Sequence, residues 1–439
     1  MSSSRGAPRD YEGIEGREVA ARDWRNAVST PAVVVTTEHG KTERRAFRFL
    51  VAASGISSFG DGLVAVAFPL LAVALTRSPL LVAGLLVAGR LPWLVVALPA
   101  GVAVDRMDRR RLVGLVEVAR AVIVGAVALG AVTHHLAITE LYVASFLVGT
   151  GETVVSSATS GLLPSIVEPE GLDRANGFLG AATTGGANFT GPAAGGVVCG
   201  LARFVPFLAD TVSYLVSAVL LRSVIPAGQA VQSGRHTHAS RWWSDIRSGL
   251  SYLRGSRPLT SLTAALGSFA FCQAMVVSVL VRYATRDLHL SSTGYGILLG
   301  VAAVGDVAGS LLASRIVRRA RPYASLDAAG ALAAGAYLLL GSTTALVVAG
   351  AALVVESAAS SVGVVTTRSL RQTLIARERF GLVNNAIRSC VIGVVPLGAL
   401  LGGLLGATIG LREGFEVAGG LQLVAIGALF IPLRAIRTS

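Results

Sequence analysis

The fold of this chain is decided by residues 101–111, Gly-Val-Ala-Val-Asp-Arg-Met-Asp-Arg-Arg-Arg. A long apolar run ends in this stretch, and the next apolar run begins at once with Leu112. Short loops that are rich in arginine stay on the cytoplasmic side of a membrane. The stretch therefore predicts a cytoplasmic loop between two membrane-spanning helices, and it sets the direction of every other span.

The composition also indicates a membrane protein. Of the 439 residues, 53% are hydrophobic and 14% are charged, whereas soluble domains carry about 25% charged residues. The net charge of +13 is spread over short loops rather than one soluble face, which argues against a nucleic-acid partner. The spacing of the three cysteines fits neither a disulfide framework nor a zinc site. We therefore expect no metal and no cofactor.

Twelve apolar runs predict an all-α integral membrane protein of twelve transmembrane helices in two six-helix pseudo-repeats. Arginine-rich loops fall on one side, so both termini are predicted to be cytoplasmic. The linker between the halves forms either a basic amphipathic helix or a loop with interfacial aromatic residues. The predicted units are a disordered tail, a first bundle, the cytoplasmic linker, a second bundle and a short cytoplasmic tail, at residues 1–45, 46–225, 226–257, 258–434 and 435–439.

A constant offset between the halves indicates an internal duplication. Gly309 follows Gly101 by 208 positions, and the same spacing relates Asn176 to Asn384 and Gly195 to Gly403. Parallel repeats of this kind are a known transporter architecture.

Asp61 is the strongest candidate for chemistry within the spans. An ionised side chain at the bilayer centre costs about 2.5–3.5 kcal/mol even on the lenient insertion scale. Asp61 lies near the middle of the first span, between Gly60 and Gly62. A carboxyl group in such a place can take up a proton in apolar surroundings and lose it when water or a cation arrives. The alternative is a structural hydrogen bond between helices.

The other intramembrane charges leave alternatives open. Glu152 and Glu356 are candidate cavity carboxylates or members of structural pairs, and Asp210 is a weaker candidate. Arg90 and Arg388 are cations that need partners. For Arg90 the sequence offers both Asp61 and Glu152. Glu117 and Arg120, three positions apart on one helix, are expected simply to neutralise each other.

The opening stretch matches a known loop motif, Gly-x-x-x-Asp-Arg/Lys-x-Gly-Arg/Lys-Arg/Lys. The matching residues are Gly101, Asp105, Arg106, Arg109 and Arg110, with Asp108 where glycine is usual. With the two halves, this motif resembles the major facilitator superfamily. The run that starts at Arg90-Leu-Pro-Trp looks like its macrolide- and siderophore-exporter branch.

The resemblance implies an inner gate and a monomeric transporter. In the family, the acid of the motif latches the halves together on the cytoplasmic side, a role that would fall to Asp105 with Arg106, Arg109 and Arg110. A weaker copy of the loop includes Gly309, and Asp306 just before it is assigned to the packing of this gate.

A second motif favours export. Gly191-Pro192-Ala-Ala-Gly195-Gly196 is similar to the core of the antiporter motif of proton-coupled exporters, although Ala187 stands where a preceding glycine is expected.

Taken together, these patterns predict a plasma-membrane secondary transporter, a proton antiporter that exports amphipathic or cationic small molecules. Its partners are protons, the small-molecule substrate and the lipid bilayer. A nutrient symporter and a transport-inactive scaffold or receptor of the same fold remain as alternatives. An enzyme is disfavoured, because the sequence contains no Walker-type phosphate loop, no Gly-x-Ser-x-Gly and no His-Glu-x-x-His.

Overall fold

The computed structural model describes residues 38–96, 107–160, 162–168, 171–224, 239–319, 322–376 and 379–435, and in these ranges every regular element is a helix. The described residues from Ala46 onwards form one compact unit. The predicted tails lie almost wholly outside the described residues.

The first half runs from α1 to α9: α1 Glu38–Leu75, α2 Pro79–Arg90, α3 Pro92–Val95, α4 Arg109–Thr133, α5 Ile138–Ser160, α6 Leu163–Ile166, α7 Leu172–Thr184, α8 Gly191–Leu201 and α9 Val205–Val224. The linker helix and the second half follow: α10 Ala239–Gly255, α11 Arg257–Arg282, α12 Ser292–Arg319, α13 Pro322–Ser342, α14 Leu346–Leu374, α15 Phe380–Thr408 and α16 Leu411–Ala435. Short π-helical segments join α7 to α8 at Gly185–Thr190 and extend α11 at Tyr283–Asp287.

Eight of the described helices are long and apolar enough to cross a membrane: α1, α4, α9, α11, α12, α13, α14 and α15. The second and fifth spans are interrupted. In the second, Pro92 begins a new short helix directly after α2. In the fifth span, the π-helical segment precedes Pro192, whose backbone nitrogen carries no hydrogen and cannot donate a hydrogen bond. The predicted all-α membrane architecture is confirmed.

The internal duplication is visible in where the helices begin. α5 and α14 begin at Ile138 and Leu346, and α7 and α15 begin at Leu172 and Phe380. Both pairs are 208 positions apart, the offset that the sequence predicts.

The linker contains a helix, α10, that packs against the second half. Gly249 lies so close to the Leu382 carbonyl and the Ala386 methyl group that a larger side chain would crowd them. Leu253 shares a hydrophobic cluster with Val383 and other residues of α11 and α15. Of the two forms left open for the linker, helix and loop, residues 239–255 adopt the helix.

Among the described residues, the hydrophobic core that the two halves share lies at one end. We call the end where α4 begins and α14 terminates the basic end, and the opposite one the distal end. One cluster joins the halves near the distal end and includes Leu71, Phe207, Tyr283 and Tyr295. The clusters nearer the basic end each belong to a single half.

Small residues bring the halves together at the distal end. Gly196 of α8 faces the backbone of Gly296 in α12, and Gly403 of α15 faces Ala83 of α2. Small side chains let helices approach closely in lipid, where no hydrophobic force drives them together. A guanidinium nitrogen of Arg282 also donates to the Thr76 carbonyl across the interface, at 2.6 Å.

The glycine contact predicts an asymmetric response to alanine. A Cβ at Gly196 would meet the Gly296 backbone, whereas a Cβ at Gly180 in α7 would meet open space. We expect Gly196→Ala to cost about 1–3 kcal/mol by overpacking. We expect Gly180→Ala to be neutral or to stabilise by about 0.5–1 kcal/mol through helix propensity. Thermal unfolding of the purified variants measures both, and equal shifts would contradict the contact.

Candidate proton-coupling and substrate site

Two glycines fix the place of Asp61 in the first half. A side chain at Gly60 would collide with Asp210 and Ser213 of α9, and one at Gly62 would collide with Gly191 and Pro192 of α8. Because both neighbours of Asp61 lack side chains, α1 lies directly against α8 and α9. The carboxyl group of Asp61 is thereby held in the interior of the first half.

The partner of Asp61 is Arg120 of α4. A guanidinium nitrogen of Arg120 lies 2.7 Å from Asp61 Oδ1, and the same nitrogen donates to Tyr214 Oη at 2.9 Å. Tyr214 in turn donates to Asp61 Oδ1 at 2.6 Å. The guanidinium carbon also lies 4.0 Å from the centre of the Tyr214 ring, a cation–π contact. These contacts form a closed triangle between α1, α4 and α9.

A second carboxylate shares the same cation. Glu117 Oε2 lies 3.4 Å from another guanidinium nitrogen of Arg120, and Glu117 Oε1 accepts from Ser217 at 3.1 Å. The side chains of Arg120 and Glu117 are almost fully buried, whereas that of Asp61 is 29% exposed. Asp61 therefore has the most exposed side chain of these three residues.

This geometry adds to one expectation and narrows an alternative that the sequence left open. Glu117 and Arg120 do not simply neutralise each other, because the shortest ion pair of Arg120 runs to Asp61 on another helix. Arg90 is not the partner of Asp61, since Arg120 occupies that place. The i, i+3 spacing of Glu117 and Arg120 favoured a pair within one helix, so the sequence did not indicate the contact between Arg120 and Asp61.

Asp210 lies next to this network without a counter-charge of its own. Its Oδ1 accepts from Ser213 Oγ at 2.9 Å, and its buried Oδ2 has no hydrogen-bond partner among the described residues. The structure thus brings Asp210 close to Asp61, as the Gly60 contact requires.

The remaining candidates of the first half gather around Trp93. Glu152 of α5 lies near Asp61 and Arg120 of the network and near Arg90 and Trp93. Arg388 of α15 places its guanidinium carbon 5.1 Å from the centre of the Trp93 ring, which joins the second half to the first. Arg90 and Arg388 are both exposed. An indole face with charged groups around it is suited to a molecule that is partly apolar and partly charged.

The two candidate acids of the second half, Glu356 and Asp306, accept hydrogen bonds from hydroxyl groups. Glu356 Oε1 accepts from Tyr337 at 2.9 Å and from Ser360 at 2.8 Å, and the residue is buried. Asp306 accepts from Ser361 at 2.8 Å. The structure does not bring Glu356 into the Asp61 network, which lies in the other half.

The gating candidates are only partly described. Gly101, Asp105 and Arg106 lie outside the described residues, so the predicted latch stays a prediction. Asp108, the departure from the motif, caps α4 by accepting from the Arg111 backbone N–H at 3.1 Å. Arg109 and Arg110 follow it in the first turn and are half-buried.

Two further groups from the motifs serve helix packing. Gly309 lies against the Ala358 backbone, so Asp306 and Gly309 belong to the contact of α12 with α14 within one half. Gly191 and Gly195 pack α8 onto α1, whereas the adjacent Gly196 packs the same helix onto α12. Pro192 is buried in the same contact. The antiporter-like motif therefore lies where one helix meets both halves.

Sequence reasoning missed Arg120, Tyr214 and Glu117 as members of the site. Counting the charged residues within the first-half spans could have suggested Arg120. Asp61 and Glu117 are both acids inside the membrane, and Arg120 is a cation that could compensate both. Nothing in the sequence singled out Tyr214. Its role depends on the packing of α9 against α1 and α4.

Known proteins are similar to this chain over most of its length. The sequence profile of the Major Facilitator Superfamily matches residues 50–391. The uncharacterized MFS-type transporter YfiS of Bacillus subtilis (strain 168) is 25% identical over 399 residues, which cover 87% of this chain and 91% of that protein. The multidrug efflux pump Tap of Mycolicibacterium fortuitum is 25% identical over 403 residues, with coverage of 89% and 97%.

Solved structures share the fold. A bacterial homologue of the human lysosomal transporter Spinster, in an inward-facing and unoccupied conformation, has a TM-score of 0.71 at 15% identity and covers 90% of this chain and 97% of its own. A bacterial homologue of the iron transporter ferroportin, in an inward-facing state, has a TM-score of 0.70 at 18% identity, with coverage of 89% and 98%.

The shared cation predicts a steep cost for its removal. Arg120→Gln leaves the buried carboxylate of Glu117 and that of Asp61 without their counter-charge, which typically costs about 3–5 kcal/mol. We expect a large fall in the unfolding midpoint and in the yield of monodisperse protein. Adding Asp61→Asn and Glu117→Gln should recover part of the loss, because the uncompensated charges are then gone.

Arg222→Gln provides the matched control, since Arg222 is exposed near the end of α9. We expect it to change stability by no more than about 0.5 kcal/mol. If Arg120→Gln is equally mild, the network does not hold the first half together.

Proposed function

Because the chain belongs to the major facilitator superfamily, we propose that it is a proton-coupled antiporter that exports amphipathic small molecules such as drugs, macrolides or siderophore-like compounds. The family supports a multi-pass membrane transporter and disfavours an enzyme. The similarity to the efflux pump Tap supports export and a drug-like substrate class. We place the protein in the plasma membrane, as a monomer, with both termini in the cytoplasm.

The observation that carries the proposal is the unequal exposure of the ion pair. The side chains of Arg120 and Glu117 are buried inside the first half, whereas that of Asp61 is partly exposed. A proton can therefore reach Asp61 without unfolding the network. Protonation removes one of the two negative charges around Arg120, and its guanidinium then relies on Glu117 and the Tyr214 hydroxyl.

Exchange follows from competition at the same place. A substrate with a cationic or hydrogen-bonding group lowers its free energy near the unprotonated Asp61 carboxylate, and a proton on Asp61 removes that attraction. Proton and substrate therefore bind in alternation, which is the requirement for antiport. Asp210 and Glu356 are secondary proton-binding candidates, one in each half.

The substrate surface is proposed around Trp93. Glu152 and Arg90 flank the indole in the first half, and Arg388 reaches it from the second. The ring supplies apolar contact area, and the charged groups can orient a polar end. This combination fits an amphipathic molecule better than a simple ion or sugar.

Alternating access is proposed as a rocking of residues 46–225 against residues 258–434. The shared core lies at the distal end, and the basic end is cytoplasmic by the positive-inside rule. In this frame the described conformation is the inward-facing one. The Asp105 latch would then form when the basic end closes.

The test is efflux from cells that express the wild type, Asp61→Asn or Glu140→Gln. We expect the wild type to export fluorescent amphipathic dyes and a protonophore to abolish the export. Asp61→Asn should lose at least ten-fold of the rate, because it can neither bind a proton nor attract the substrate. Glu140, an exposed acid at the distal end, serves as the control and should behave as the wild type.

Two outcomes would overturn parts of the proposal. Efflux that persists in Asp61→Asn and with protonophore rules out proton coupling through Asp61. If intact cells accumulate the substrate and neither the wild type nor any variant shows efflux, the protein takes up its substrate and does not export it.

A further inference from the structure

A groove of about 560 Å³ lies in the second half, away from the Asp61 network. Its floor is one face of α11, its walls come from α10, α15 and α16, and its lining includes Leu253, Gly267, Phe271, Val394 and Leu421. The volume falls within the range of about 300–1,000 Å³ of ligand sites. Nothing in the proposed transport cycle uses it.

The hydroxyl groups that line the groove need no hydrogen bond from a ligand. Thr260 donates to the Leu253 carbonyl at 2.6 Å, Thr263 to the Leu259 carbonyl at 2.7 Å, and Ser268 to the Ala265 carbonyl at 2.8 Å. Each lining hydroxyl therefore already has an acceptor in the backbone. A hydrocarbon chain satisfies such a surface, whereas a polar ligand would lose its hydrogen bonds to water.

The length of the groove matches one leaflet. From Thr260 to Cys272 the floor follows thirteen residues of α11, about 18 Å of helix at 1.5 Å per residue. Half of a bilayer's hydrocarbon core is about 15 Å. The groove starts at the basic end and reaches the middle of the membrane, the course of an acyl chain.

The mouth of the groove carries positive charge. Arg254 lines it at the end of α10, and Arg257 begins α11 close by in sequence. Both are exposed, and neither forms an ion pair with any residue that the structure describes. Arginines at this depth attract anionic lipid headgroups, each by about 1 kcal/mol.

We propose that the groove binds an anionic phospholipid of the leaflet at the basic end. One acyl chain lies along α11 between α15 and α16, and the headgroup phosphate pairs with Arg254. Since α10 forms part of the wall, the bound lipid also fastens the linker helix to the second half. This site is independent of the proton and substrate chemistry of the first half.

The protein carries its own reporter for occupancy. Cys390 and Cys272 both line the groove, but Cys390 is half-buried whereas Cys272 is buried, and Cys199 is buried elsewhere in the fold. We would delipidate the full-length protein in an uncharged detergent and follow its reaction with N-ethylmaleimide. Phosphatidylglycerol should slow the labelling several-fold, whereas phosphatidylcholine and soluble glycerol 3-phosphate should not. Cys390→Ala gives the background from the other two thiols.

Two variants test the chain and the headgroup separately, with retained lipid measured by native mass spectrometry. Gly267→Leu fills the groove, because a Cβ there meets only Val394, and Gly335→Leu is its control in open space on α13. Arg254→Gln removes the charge, and Arg247→Gln is its control on the same helix. We expect both test variants to lose phosphatidylglycerol several-fold and both controls to retain it.

Three results would overturn the proposal. They are equal protection of Cys390 by both lipids, protection by glycerol phosphate alone, and unchanged lipid retention in Gly267→Leu and Arg254→Gln. If Gly267→Leu fails to fold, Ala264→Phe replaces it, because Ala264 is an exposed lining position.

Discussion

The first half of the protein depends on one buried cation that two carboxylates share. A guanidinium in a membrane interior is tolerated only when its charge is compensated and its donors are used. Arg120 is compensated by Asp61 and Glu117, and its two terminal nitrogens donate to Asp61, Glu117 and Tyr214 on α1, α4 and α9, whereas its buried Nε has no hydrogen-bond partner among the described residues. The glycines beside Asp61 follow from the same need, because α1 must approach α8 and α9 closely for the carboxylate to reach the cation.

The duplication repeats the helix boundaries, whereas the Asp61 network lies in the first half alone among the described residues. At the offset of 208, Asp61 corresponds to Phe269, Arg120 to Ala328 and Glu152 to Ser360. The second half instead holds Glu356 with the hydroxyls of Tyr337 and Ser360. A repeat therefore preserves helix lengths and crossings, which depend on small and apolar residues, while charged positions diverge freely.

The fold was predictable because hydropathy, loop charge and the repeat offset are local or periodic signals. The site was predictable only in part. Asp61 is conspicuous as a lone acid in an apolar run, but its partner depends on which faces of α1 and α4 meet. Helical spacing favoured Glu117 for Arg120, and only the packing of the helices showed Asp61 as the nearer acid. The π-helical segment before Pro192 likewise left no clear trace in the sequence.

The location of the contacts limits how coupling can work. Asp61, Arg120, Glu117 and Tyr214 all belong to the first half, so a rigid rocking of the halves leaves their mutual distances unchanged. In the antiport proposed here, coupling through Asp61 would therefore act through a change in its exposure as the second half moves over it. The stacking of Arg388 on Trp93 and the bond from Arg282 to Thr76 cross the interface. In the proposed rocking motion these contacts break or rearrange, so they would set the balance between conformations, and the ion pair would set the response to protons.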